Sequence, residues 1–317
     1  MTALFNALPG AVAQGLIWGL FAIGLYITYK ILDIADLTVD GSICTGACVC
    51  VILIVNGTNV VVAMIAAFLS GAIAGAVTGL LHTAMGIPPI LAGILTQLML
   101  WSVNLKILGQ AQVAIPSRNS NITTILTQRN LGMAILVGVL FAAAIIVCLW
   151  LFFYTEIGFT IKSTGDNEAM SRAQGVNVNL NKVIGLALSN GIIALSGALI
   201  AQYQGYADIN MGRGAIVIGL AAIIIGLSIS MKIKPNFVVS LIGVVGGGVL
   251  YYLVYTFVIW LGLDTELLKM LSAIVVTIFL AVPYLKKKYF SQKRVHTPLS
   301  ESNATHAQMT EEGSKNA

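Results

Sequence analysis

Residues 131–154 read LGMAILVGVLFAAAIIVCLWLFFY. No charged group interrupts this stretch, and it exceeds the roughly 20 apolar residues that a helix needs to cross a bilayer core. Four comparable runs precede it, Pro9–Tyr29, Leu37–Val55, Val60–Leu81 and Pro89–Leu108. Four follow it, Val183–Tyr203, Ala215–Ile229, Phe237–Leu261 and Leu267–Tyr284. Polar residues interrupt two of these, near Asp36–Gly46 and near Asp208–Gly219, which predicts broken or re-entrant helices there. The pattern predicts an all-α membrane protein of about eight to nine transmembrane helices.

Composition agrees. The 317 residues are 58% hydrophobic and 9% charged, against roughly 25% charged residues in a soluble domain. The 32 glycines suit membrane helices, whose backbones approach closely where side chains are small. No GxxxxGK[ST] loop is present, so ATP binding at a Walker site is excluded. Cys44, Cys48, Cys50 and Cys148 have no histidine at metal-ligand spacing and read as small apolar residues. His82, His296 and His306 form no constellation with a nucleophile. No Lys or Arg precedes Lys30, so the first apolar run is expected to be a retained span rather than a signal peptide.

The positive-inside rule orients the spans. With residues 155–182 in the cytoplasm, most of the 17 basic residues fall on that side, among them Lys30, Lys162, Arg172, Lys182, Lys232, Lys234 and the run Lys286–Lys288. The N-terminus is then outside and the C-terminus cytoplasmic, with the Lys286–Lys288 run at the anionic leaflet. Residues 1–288 form one expected transmembrane domain. Residues 289–317, rich in Ser, Thr, Asn and Glu, form an expected disordered cytoplasmic tail.

An internal echo links Ala35-Asp36-Leu37-Thr38-Val39-Asp40-Gly41 with Ala207-Asp208-Ile209-Asn210-Met211-Gly212. The topology places the two on opposite sides, as an inverted repeat requires. Asp36 and Asp208 stand where they could cap helix N-termini or border a water-filled path; Asp40 follows the same logic. Arg213 is a candidate partner for Asp208. Polar residues at helix breaks are candidates for lining a solute path: Asp36, Thr38, Gln97, Asn104, Gln202, Gln204, Tyr206, Asp208 and Asn210. The rival reading of each is an interhelical hydrogen bond.

Residues 155–182 hold a second signal. Gly165 breaks the chain, Asp166 is a good N-cap, Glu168 lies in a first turn and Arg172 nearer its end, and Gly175 suits a left-handed C′ position. This predicts a short polar helix over 167–174. It is either a rigid element that relays motion from a soluble ATPase or an ordinary ordered connector.

The pattern Gly-x-x-x-(Lys/Arg)-x-x-Gly-(Asp/Glu)-Asn, followed by Ala-x-x-Arg-Ala-x-Gly-Val over Gly158–Val176, resembles the coupling loop of ATP-binding-cassette importer permeases for branched-chain amino acids and ribose. Residues 36–42 (DLTVDGS) are similar to that family's Asp-Leu-Ser-Val-Gly element. Residues 201–212 (AQYQGYADINMG) and 80–83 (LLHT) resemble a tryptophan/tyrosine-type branch, many of whose members have no assigned substrate. The resemblance runs from about Gly15 to about Tyr284. One departure is Lys162, where many members carry Arg, a better bidentate partner for a carboxylate.

The resemblance implies a non-enzymatic permease in the bacterial inner membrane that translocates a small solute, an amino acid, with an aromatic one among the candidates. It implies cytoplasmic ATPase subunits that use the ATP, an extracytoplasmic binding protein or lipoprotein, a permease homodimer and lipid as partners, with no nucleic acid and no cofactor of its own. Its coupling residues map onto Gly165, Asp166, Asn167, Arg172 and Gly175, beside which Glu168 stands. Alternatives are a permease of the same type for a sugar or nucleoside, and an ion-coupled secondary transporter built on Asp208 and Arg213. A membrane enzyme and a scaffold without solute flux are more distant rivals.

Overall fold

A computed structural model describes residues 2–116, 124–126, 130–230 and 236–261, together with residues 270, 273, 274, 277 and 281. The chain divides into residues 1–276 and 277–317, and the bundle belongs to the first. The expected span Leu267–Tyr284 lies largely outside the described residues. So do the tail 289–317 and the basic residues of both.

The bundle consists of α1 (Thr2–Tyr26), a π-helical turn (Ile27–Ile31), α2 (Val39–Val55), α3 (Val60–Thr83), α4 (Pro89–Leu108), β1 (Gln112–Ala114) and α5 (Leu131–Phe153). It continues with α6 (Glu156–Asp166), α7 (Glu168–Ala173), α8 (Val178–Gln204), β2 (Tyr206–Asp208), α9 (Ala215–Ser230) and α10 (Phe237–Trp260). Six helices among the described residues are long and apolar enough to cross a membrane, over Ala7–Ile31, Val60–Thr83, Pro89–Leu108, Leu131–Phe153, Val178–Gln204 and Phe237–Trp260. α2 and α9 have only 17 and 16 residues, about 25 Å of helix, short of a hydrocarbon core of about 30 Å. They are the two interrupted runs.

Helix ends obey local chemistry. Asn59, Thr155, Asn167 and Asn177 cap α3, α6, α7 and α8 by accepting from Val61 N, Gly158 N, Met170 N and Leu180 N. Gly109 and Gly205 end α4 and α8 at φ 70° and 81°, the left-handed backbone that favours glycine. β1 and β2 pair antiparallel, Gln112 with Asp208 and Ala114 with Tyr206, and form a small ribbon at the α8 end.

Small residues set the packing. On α3, Gly71, Gly75 and Gly79 lie against Asn190, Leu186 and Val183 of α8. On α1, Gly15 and Gly19 lie against Val249 and Val245 of α10. Two halves therefore share one order, α1–α2–α3 and α8–α9–α10: long helix, irregular segment, short helix, long helix. The third helix of each half packs on the first helix of the other.

The echo shows in the irregular segments. Asp36 Oδ1 accepts from Thr38 N at 2.8 Å, and Asp208 Oδ1 accepts from Asn210 N at 2.6 Å. Neither aspartate caps its helix as expected. Both close an Asx turn, and α9 starts only at Ala215.

Candidate functional site: a surface helix and a polar pocket

α6 lies close against the bundle. A Cβ on Gly165 would fall on the Ile31 carbonyl, and one on Gly158 would fall on Phe152 O. Gly165 therefore permits a contact rather than breaking the chain, and α6 runs through it to Asp166. This corrects the expected cap: the bend comes one residue later, where Asn167 adopts φ −158° and accepts from Met170 N at 2.9 Å. The short helix occupies Glu168–Ala173, and Gly175 takes φ 81° as its pattern predicts.

α7 is tied down from several sides. Ser163 and Ser171 hydroxyls bond at 2.6 Å. Glu168 accepts from Lys182 Nζ at 2.7 Å and from Arg172 Nη2 at 2.8 Å, and Arg172 also donates to Asn179. The hydrogen bonds from Lys182 and then Arg172 hold the Glu168 carboxyl below its ordinary range. Beneath α6, Asn181 Nδ2 donates to Thr164 Oγ1 at 3.0 Å. On the outer surface of α7, Met170 is 60% exposed, and Phe159 of α6 is exposed as well. A held helix that shows a flexible apolar side chain is suited to contact another protein. The spacing of charges pointed to α7; Met170 was missed, since one methionine carries no such signal.

From α6 a continuous series of contacts enters the bundle. Gly165 meets Ile31, in a turn that opens as π-helix with Leu32 N donating to Ile27 O at 3.0 Å. π-helical turns in α-helices cluster at functional sites. Asp33 follows at φ 54°, and the chain turns back so that Asp36 is buried beside Asn190, near the middle of α8. Asn190 Nδ2 donates to Asp36 Oδ2 at 2.7 Å, and Ser42 Oγ donates to Asn190 Oδ1 at 2.6 Å. Thr38 and Thr78 hydroxyls bond at 2.7 Å. α2 thus begins deep inside the bundle, and its Asp40 crosses to α9: Oδ2 accepts from Gly214 N at 3.0 Å and Oδ1 from Ile216 N at 2.9 Å. Asp40 is the N-cap of another helix, 174 positions away.

This junction forms one wall of a cavity of about 330 Å³, lined by Asp40, Gly41, Cys44, Gln97, Leu98, Trp101, Asn104, Ile209 and Arg213. Two expected path residues, Gln97 and Asn104, meet here. The other seven do not line it. Asp36 and Thr38 belong to the cluster around Asn190. Gln202 is buried elsewhere, accepting from Ile125 N and contacting Cys50. Gln204 ends α8, Tyr206 and Asp208 lie in β2, and Asn210 is exposed in the segment before α9. Among the described residues Arg213 forms no ion pair with Asp208, contrary to the pairing considered from sequence; the two ion pairs there are both made by Glu168. Trp101 and Cys44 had read only as parts of apolar spans. No group of three His, Cys, Asp or Glu residues could hold a metal among the described residues.

Residues 8–280 match the family described as Branched-chain amino acid transport system / permease component. A tyrosine transport system permease protein of Clostridioides difficile (strain R20291) is 40% identical over 283 residues, which cover 87% of this chain and 91% of that protein. An uncharacterised protein of Rickettsia prowazekii (strain Madrid E) is 33% identical, over 87% of this chain and 97% of its own. The autoinducer 2 import system permease protein LsrC of Enterobacter sp. (strain 638) is 28% identical over 66% of this chain and 60% of its own. No solved structure matches the chain.

Proposed function

The chain belongs to the family of branched-chain amino acid transport system permease components, and on that premise we infer that it carries an amino acid across the bacterial inner membrane. The solute is handed over by an extracytoplasmic binding protein, and two cytoplasmic ATPases supply the energy from ATP. The tyrosine permease similarity over most of both chains supports an amino acid, and an aromatic one before a branched one. A sugar or nucleoside is the alternative cargo. Two copies of the permease form the working unit, each engaging one ATPase.

One observation carries this reading: α7 is a six-residue helix, capped and ion-paired, whose outer side chain Met170 is exposed and whose support, α6, touches the π-helical end of α1 at Gly165. The ATPase seats on α7 through Met170 and the residues around Asp166 and Arg172. Its motion is passed through α6 and Ile31 to Asp36 and the start of α2. Such a relay by packed elements with two arrangements is the physical basis of coupling over distance.

The test is a reconstituted complex of permease, ATPase and binding protein. Met170→Glu alters a surface side chain and leaves folding intact. Loss of solute-stimulated hydrolysis and of uptake, with the permease still in the membrane, is the expected result. Coupled uptake at the wild-type rate, or uptake by the permease with no ATPase present, overturns the assignment of α7.

A further inference from the structure

The cavity between α2, α4 and residues 209–213 gathers polar groups of both charges and one unanswered acceptor. At about 330 Å³ it falls within the range of small-molecule sites. Asn104 is 1% exposed, yet its amide oxygen has no hydrogen-bond partner among the described residues. A buried acceptor left in that state is costly, and a donor arriving in the cavity would answer it. Arg213 is exposed at the cavity lining and makes no ion pair among the described residues. Asp40 holds a carboxylate in the same wall, each oxygen accepting one backbone N–H and retaining a further lone pair. Trp101 adds an indole, partly exposed within the same lining.

We propose that this cavity is a holding site inside the permease for an α-amino acid zwitterion with an aromatic side chain. The solute carboxylate pairs with Arg213, the ammonium group faces Asp40 and the Asn104 oxygen, and the ring lies against Trp101. A neutral sugar would supply a donor to Asn104 but offer no charge complementary to Arg213 or Asp40. A dicarboxylate would confront Asp40. The charge pattern of the cavity therefore selects the zwitterion, and selection is not left to the binding protein alone. The inference rests on the reading of the chain as an amino-acid permease, and it assigns the site where that reading assigns only a path.

The experiment measures binding of radiolabelled L-tyrosine to the full-length permease in lipid nanodiscs, with tyramine, which lacks the carboxylate, and 4-hydroxyphenylpropionate, which lacks the ammonium group, as competitors. Wild type is expected to bind tyrosine saturably and each analogue about tenfold or more weakly, as the loss of a charge-assisted contact implies. Arg213→Gln should erase the preference of tyrosine over tyramine. Asn104→Leu should weaken all ammonium-bearing ligands, and 4-hydroxyphenylpropionate least. Unaltered preference in Arg213→Gln overturns the assignment of the cavity. So does the absence of saturable binding of tyrosine or tryptophan when the assembled complex imports either, an outcome that leaves the permease reading intact. Import of a neutral sugar and of no amino acid by the complex overturns that reading and the site together.

Discussion

Asn190 of α8 donates its side-chain amide to the carboxylate of Asp36 at 2.7 Å, across 154 positions of the chain, and no cation faces that carboxylate among the described residues. Asn190 also accepts from Ser42 and donates to the Leu186 carbonyl. A single interhelical hydrogen bond in a membrane averages about 0.6 kcal/mol and reaches about 1.7. Asn190→Leu removes bonds to both Asp36 and Ser42 and leaves a buried carboxylate short of a donor, so a loss of about 2 kcal/mol is expected. Thermal unfolding in lipid nanodiscs would show it, and an unchanged midpoint would mean that the cluster does not hold α2 in place.

Asp40 caps α9 from α2, so its removal should act on two helices at once. Asp40→Ala is expected to cost about 0.5–2 kcal/mol, the range for a lost N-cap. Asp40→Asn keeps one side-chain oxygen and should recover part of that loss. Hydrogen exchange distinguishes the cap from general damage: the amides of Gly214 and Ile216 should exchange faster in Asp40→Ala, while those in the middle of α3 stay protected. Equal acceleration across the bundle would contradict the capping role.

The spans and the site differ in how much of them the sequence shows. The runs at Val60, Pro89 and Leu131 begin where α3, α4 and α5 begin, because apolar length depends on neighbours along the chain. The two interrupted runs at Asp36 and Asp208 fall on the two short helices for the same reason. Asp166 and Asn167 are both good caps, and sequence chose the wrong one: the choice depends on Gly165 meeting Ile31, a contact over a hundred positions away. Asn190 and Trp101 carry no signal in the sequence, and Arg213 reads there only as a partner for Asp208, since their meaning lies in what α2 and α4 bring against them. Asp40 shows the limit most clearly, as its partners are backbone groups that any residue type would present.

Close packing gives an independent measure of the α2–α8 contact. A Cβ on Gly46 would fall on the Ala194 carbonyl, whereas one on Gly132 meets nothing within 4 Å. Gly46→Ala forces backbone apart in a packed interior, and overpacking of this kind costs about 1–3 kcal/mol. Gly132→Ala should be neutral or slightly stabilising in a helix. A melting temperature lowered in the first variant and not in the second is expected; equal midpoints would show that α2 and α8 are farther apart than this contact requires.

The ion pairs of Glu168 should make the surface helix sensitive to acid. Lys182 and Arg172 lower the pKa of Glu168 in the folded chain from an ordinary value of 4.5. A depressed carboxyl contributes stability that is complete above its unfolded pKa and is lost as pH falls through the folded one. The helix should therefore be indifferent to pH between about 6 and 8 and loosen below the ordinary carboxylate range. The Glu168 side chain is 42% exposed, so screening by water limits each pair to about 0.3–0.5 kcal/mol, a few-fold change in exchange protection. Protection factors over residues 168–174, corrected for intrinsic rates, should fall in acid for wild type and stay low and flat in Glu168→Gln. A wild-type profile that does not move with pH, or a Glu168→Gln profile that follows it, would show that α7 is held by its cap and the serine pair rather than by charge.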